Sequence, residues 1–225
     1  MIAPVDAIDL CAAIYAGEAG ARWDFFEPSD ADEGVCWGLR RFGNVVVVAF
    51  RGSITIQDWI RDLLAITLPF SHSGLGPVHP GFLLGMPEAW AAIKAQLRPG
   101  DLLVLTGHSL GAARAAICCG LAKLDGVVAA RKVLFGCPRP GFEQLADLCA
   151  ATPEQSFCNG DERGHDLVTD VPIVFGIERY TRSSILIPVS ASPAREHFDQ
   201  LDAFSYHHVA LYQRAIRSAV PAGAA

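Results

Sequence analysis

Apolar and polar residues recur along this chain in two rhythms. Residues 4–16 set Val5, Ile8, Cys11, Ala12 and Tyr15 on one side at helical spacing, which predicts an amphipathic helix with that side inward. Residues 35–40 and 45–50 read as a strand pair, with Gly43-Asn44 as the turn. Val45, Val46, Val47, Val48, Ala49 and Phe50 are apolar without a break, as in a strand covered on both faces. Residues 57–66 and 87–97 are expected to be helical. Pro99-Gly100-Asp101 stops the second of these and leads into an apolar strand that begins at Leu102. A small-residue helix over 112–124, a strand over 131–136 and a helix over 141–150 follow. Short strands over 156–158 and 184–189 precede a closing helix over 208–219. Residues 69–80, rich in Gly, Pro and Ser, read as a loop. Strands alternating with helices predict an α/β fold, a mostly parallel central sheet flanked by helices. No repeat or linker interrupts the pattern, and 225 residues suit a single domain over 1–225.

Composition narrows the partners. With 51% hydrophobic and 19% charged residues the chain is globular. A formal charge of −6 and the lack of a basic stripe argue against a nucleic-acid partner. No apolar run reaches the length of a transmembrane segment. The first residues lack the basic start and apolar core of a signal peptide, so a cytoplasmic location is expected unless a leader has been removed. The seven cysteines fit no zinc spacing. Their odd number, with Cys118 and Cys119 adjacent on a helix, points to reduced, buried thiols. Cys149 and Cys158 are the first pair to test for a bridge.

Chemistry enters at Gly107-His108-Ser109-Leu110-Gly111. An apolar strand ends in Gly-x-Ser-x-Gly and a helix starts at once, which is the sequence form of a nucleophile elbow. The turn strains the serine backbone and brings both flanking segments close to it, so Gly107 and Gly111 supply space. A serine hydroxyl needs a histidine base, and the histidine needs an acid to fix its tautomer. In α/β hydrolases the chain order is serine, acid, histidine. Downstream of Ser109 stand Asp166 and the neighbours His207 and His208.

The chain resembles the class 3 lipase family, the fungal triacylglycerol lipase type of α/β hydrolase, in five ordered blocks. Ala49-Phe50-Arg51-Gly52-Ser53, followed by Trp59 and Asp62, is similar to the oxyanion block. Val78-His79-Pro80-Gly81-Phe82 is similar to V-H-x-G-F, and residues 106–111 to T-G-H-S-L-G. Residues 136–141 resemble G-x-P-R-x-G, and Asp166, Val168 and Pro172 resemble D-x-V-x-x-x-P. The resemblance implies an α/β-hydrolase fold and carboxylic ester hydrolysis, with Ser109 as nucleophile, Asp166 as acid and His207 as base. His207 is preferred to His208 because the family histidine lies five residues before a tyrosine, here Tyr212. The oxyanion hole would be the Leu110 N–H with the Ser53 N–H and hydroxyl, each donor contributing on the order of 3 kcal/mol. Asp62 would orient Ser53, and residues 54–60 would form a short lid. No cofactor and no metal are implied. The expected partner is an ester or lipid substrate, met at a lipid–water interface, with short or medium acyl chains preferred. Feruloyl esterase or phospholipase A1 activity, acyl transfer to another alcohol, and a non-catalytic binding role on the same scaffold are the alternatives.

One departure stands out. The family acid follows an asparagine by about three residues, whereas here residues 160–165 separate Asn159 from Asp166, which leaves Asp161 as a rival acid. Bland readings apply to the rest. His108 adjoins the nucleophile and is read as packing, and His79 as ordering its loop. Asp170 is read as a polar loop residue, and Arg51 and Arg139 as holding loops by ion pairing. His72, His165 and His197 show no metal-ligand spacing.

Overall fold

The computed structural model describes residues 2–17, 22–28, 34–53, 69–172, 180–193 and 205–219. The expected helix over 57–66, the lid over 54–60, Trp59, Asp62 and His197 lie outside the described residues.

The main sheet is built from β1 (Phe25–Glu27), β2 (Trp37–Phe42), β3 (Val45–Phe50), β6 (Leu102–His108), β7 (Arg131–Phe135), β8 (Glu154–Asp161) and β10 (Leu186–Val189), side by side in that order. From β3 to β10 every neighbour is parallel, while β1 and β2 are antiparallel additions at one edge. A short β9 (Gly164–His165) folds back on β8. Parallel pairing puts all carboxyl ends of β3, β6, β7 and β8 at one edge, where ligands of such sheets gather.

Two apolar layers cover the sheet because consecutive strand residues face opposite ways. Val46, Val48, Phe50, Leu103 and Leu105 face α3 (Met86–Gln96) and α4 (Leu110–Leu124). Val47, Ala49, Val104, Val133 and Phe135 face α1 (Pro4–Tyr15) and the last helix, α6 (Val209–Ala219). Helix α4 is buried on every side from Leu110 to Ala122, which explains its run of Ala, Gly and Cys. Lys132, on β7, is fully buried too. Its ammonium meets Glu154 Oε2 across the strand pair at 2.6 Å and Ser183 Oγ at 2.8 Å.

Several boundaries differ from expectation for physical reasons. Strand β2 runs to Phe42 rather than ending at Arg40, because the tight turn at Gly43-Asn44 keeps Phe42 paired with Val45. Helix α1 buries Ala7, Leu10, Ala13 and Ile14 as well as Ile8 and Cys11, since it is wedged between the sheet and α6. Val5, Ala12 and Tyr15 are only half-buried. The segment 69–80 is not an open loop. It holds a hairpin of β4 (Phe70–His72) and β5 (Gly76–Val78), anchored by the fully buried Leu75, and it ends at the one-turn α2 (Pro80–Leu83). His79 orders this segment by capping α2, its Nδ1 accepting the Gly81 N–H at 3.2 Å. Helix α5 (Glu143–Ala150) begins after Gly141, whose backbone bridges Val78 and Thr181 instead of joining the helix. Strand β8 extends well past 156–158, and α6 starts at Val209, leaving His207 in a separate 3-10 turn (Ser205–His207). All seven cysteines are free and buried. Cys149 donates to the Ala116 carbonyl on α4, while Cys158 contacts Thr169, so each has its own partner.

Candidate active site

Ser109 joins β6 to α4 with φ 61° and ψ −130°, the one positive φ at a non-glycine among the described residues. Such a conformation costs on the order of 1–3 kcal/mol and persists only where the surroundings enforce it. Here they do. A Cβ on Gly107 would collide with the Gly111 backbone, and one on Gly111 with the Phe50 carbonyl of β3. The Ser109 N–H donates to the Phe135 carbonyl of β7 at 3.0 Å, so the elbow is pinned from the neighbouring strand. Leu110, the first residue of α4, belongs to the helical turn whose N–H groups have no partner within the helix. Ser53, half-buried, follows the carboxyl end of β3. Gly52 beside it leaves no room for a side chain, since a Cβ would strike the Tyr15 hydroxyl and the His108 carbonyl.

Asp166 and His207 come together although the chain separates them widely. Asp166 Oδ2 lies 2.7 Å from His207 Nδ1, with both side chains fully buried. The same oxygen accepts the Tyr212 hydroxyl at 2.6 Å, and Oδ1 accepts the Val168 N–H at 2.9 Å. Burial opposes ionisation of this carboxyl, but His207 and Tyr212 more than offset it and hold its pKa below the ordinary value. A carboxylate only accepts, so His207 Nδ1 carries a proton, and in the neutral ring Nε2 is the nitrogen with the open lone pair. His207 Nε2 and Ser109 Oγ are both buried and neither has a hydrogen-bond partner. Gly136, at φ +56°, forms the wall behind the pair. A Cβ there would sit 2.7 Å from Asp166 Oδ2 and 2.8 Å from His207 Cε1.

The rival residues do other things. His208 is exposed. Asp161 is taken up by Arg163, Ser192 and Tyr206, and Asp170 pairs with Arg139 and His165.

His108 is more than packing. Its Nε2 lies 2.7 Å from the His207 carbonyl and its Nδ1 3.0 Å from the Tyr15 hydroxyl. The carbonyl accepts only, so Nε2 is the protonated nitrogen and Nδ1 accepts from Tyr15. The two imidazoles stack at 4.6 Å. Burial, reinforced by the neighbouring His207, pushes the His108 pKa down to about 3 and keeps it neutral. The roles of Tyr15, Asn159 and Gly136 at the site also escape sequence reasoning, although each residue falls in a pattern noted above, because each acts through a contact far away along the chain. Asn159 accepts the Ala191 N–H and donates to the Tyr206 carbonyl, tying β8 to the turn that carries His207.

Among the described residues no group of His, Cys, Asp or Glu is arranged to hold a metal ion, and no helix is long and apolar enough to cross a membrane.

Comparison with known proteins gives the same frame. The family model described as Lipase (class 3) matches residues 47–175 of the 225. A secreted mono- and diacylglycerol lipase A of Penicillium cyclopium is 28% identical over 153 residues, covering 63% of this chain and 48% of that protein. A secreted mono- and diacylglycerol lipase 1 of Fusarium solani is 33% identical over 148 residues, covering 58% of this chain and 40% of that one. The chain thus spans about half the length, or less, of these curated relatives. Among solved structures, a mutant form of MDLA from Penicillium cyclopium superposes with a TM-score of 0.65 at 21% identity, over 84% of this chain and 78% of that one. A Rhizomucor miehei lipase propeptide complex gives 0.57 at 26% identity, over 75% and 60%. With more than half of its sequence matched by the family model, this chain belongs to the class 3 lipase family.

Proposed function

We propose that the whole chain acts as one domain and hydrolyses carboxylic esters of the acylglycerol class. The observation that carries this reading is the buried Asp166–His207 pair at 2.7 Å, together with a strained Ser109: His207 Nε2 and Ser109 Oγ are both buried, and neither has a hydrogen-bond partner. His207 Nε2 takes the Ser109 proton as Oγ attacks the ester carbonyl, and Asp166 stabilises the imidazolium that results. The oxyanion is received by the Leu110 and Ser53 N–H groups. His207 returns the proton to the leaving alcohol. Water, activated by the same nitrogen, then splits the acyl-enzyme into fatty acid and free serine. The names of the relatives support an acylglycerol substrate and favour the secreted over the cytoplasmic location. A lipid–water interface is the place where such a substrate would be met.

The test is Ser109→Ala. It is expected to abolish turnover of p-nitrophenyl esters and labelling by a fluorophosphonate while leaving the melting temperature near or above that of the parent, because the buried hydroxyl has no hydrogen-bond partner to lose. Retained turnover refutes the mechanism.

A further inference from the structure

The segment between Asn159 and Asp166 is longer than the family pattern, and it folds as a hairpin in which Gly160 pairs with His165 and Asp161 with Gly164. The hairpin puts Asp161 at the end of β8, two residues beyond Asn159. Residues two apart on a strand project from the same face. Both reach Tyr206, the residue before His207. Asn159 Nδ2 donates to the Tyr206 carbonyl at 3.0 Å, and the Tyr206 hydroxyl donates to Asp161 Oδ1 at 2.5 Å. Asp161 is itself immobilised. Its Oδ2 accepts from Ser192 Oγ at 2.6 Å and Arg163 Nη2 at 2.9 Å, and its Oδ1 accepts the Arg163 N–H at 2.8 Å.

His207 ends a single 3-10 turn, an element with little internal hydrogen bonding, so its orientation has to be set from outside. Asp166 holds the ring at Nδ1 and His108 holds the backbone at the carbonyl. Tyr206, only 7% exposed, is the third hold. We propose that Asp161 is a positioning residue for the base: by fixing the Tyr206 hydroxyl it sets the turn so that His207 Nε2 faces Ser109. The proposal rests on the catalytic reading given above. A misplacement near 1 Å at a reacting pair costs about 100-fold. A turn still held by Asn159, Asp166 and His108 moves less, so a loss of about 10-fold is expected.

The experiment compares the parent with Asp161→Ala, Tyr206→Phe, their double variant and Asp161→Asn. It reads the rate of fluorophosphonate labelling, kcat and KM on a p-nitrophenyl ester, and the melting temperature. Both single variants are expected to slow labelling and kcat together by about 10-fold with KM little changed. The double variant should be no slower than either single, because one link is broken in all three. Asp161→Asn keeps an oxygen that can accept from Tyr206 and should recover most of the rate. If Asp161→Ala fails to fold, Tyr206→Phe decides alone, since it removes one oxygen atom. Parent-like rates in the single variants, or losses that multiply in the double, overturn the proposal. A parent protein that the fluorophosphonate does not label overturns the catalytic reading beneath it.

Discussion

Acid should weaken this protein through one buried imidazole. His108 has a folded pKa near 3 against an ordinary 6.5, so between those values the unfolded chain takes up a proton that the folded chain refuses. The sign follows from linkage: the contribution is fully present above pH 6.5 and is lost as pH falls toward 3. At pH 5 the loss is 1.5 pH units at 1.36 kcal/mol each, or about 2 kcal/mol. For a chain of this size that corresponds to about 4–8 °C in melting temperature. Calorimetry of the parent and of His108→Gln, from pH 8 to pH 5 at constant ionic strength, isolates the effect, because carboxylates common to both proteins cancel. The variant should melt lower than the parent at pH 8, having lost the bonds to Tyr15 and His207, and the gap should narrow by about 2 kcal/mol toward pH 5. Parallel curves would refute the argument, since they would mean that His108 titrates alike in the folded and unfolded chains.

Two further outcomes follow from contacts that admit no substitute. Gly136→Ala forces a Cβ against Asp166 and His207 at a positive φ. It should cost about 1–2 kcal/mol in a denaturant titration and lower kcat by about 100-fold or more in the protein that remains folded, whereas parent-like kcat would mean the pair tolerates displacement. Lys132→Met strands Glu154 without its cation and should cost about 3–5 kcal/mol in urea unfolding, while the double Lys132→Met, Glu154→Leu variant should regain most of it. A double variant as weak as the single would show that the ion pair stabilises in its own right.

The elements that carry the site were legible where their signals are local. The elbow announces itself through Gly107, Ser109 and Gly111, because the crowding that requires small residues arises within one turn of chain. The continuous apolar run of β3 and the small residues of α4 likewise state their burial directly. The distance from His207 to Tyr212 separates the two histidines because one helix carries the tyrosine back onto Asp166. The β4–β5 hairpin was hidden because its Gly and Pro residues read as loop, although Leu75 anchors it in the core. The tie from Tyr15 through His108 to His207 was hidden more deeply. It joins the first helix, the elbow and the final turn, and no periodicity reports a contact between such distant segments.

The setting of helix α4 has a consequence for how the molecule fails. The serine is mounted at the head of a helix walled in by both the sheet and its neighbouring helices, whereas the histidine rides on a three-residue turn held by side chains. Openings of a native protein span from nearly free to the full cost of unfolding, and a short turn held by a few side-chain bonds opens at lower cost than a helix packed on every side. On warming, amide exchange should therefore reach Tyr206 and His207 well before Ser109. Activity would then vanish while the spectrum still reads native, and return on cooling, because the costly half of the site never came apart.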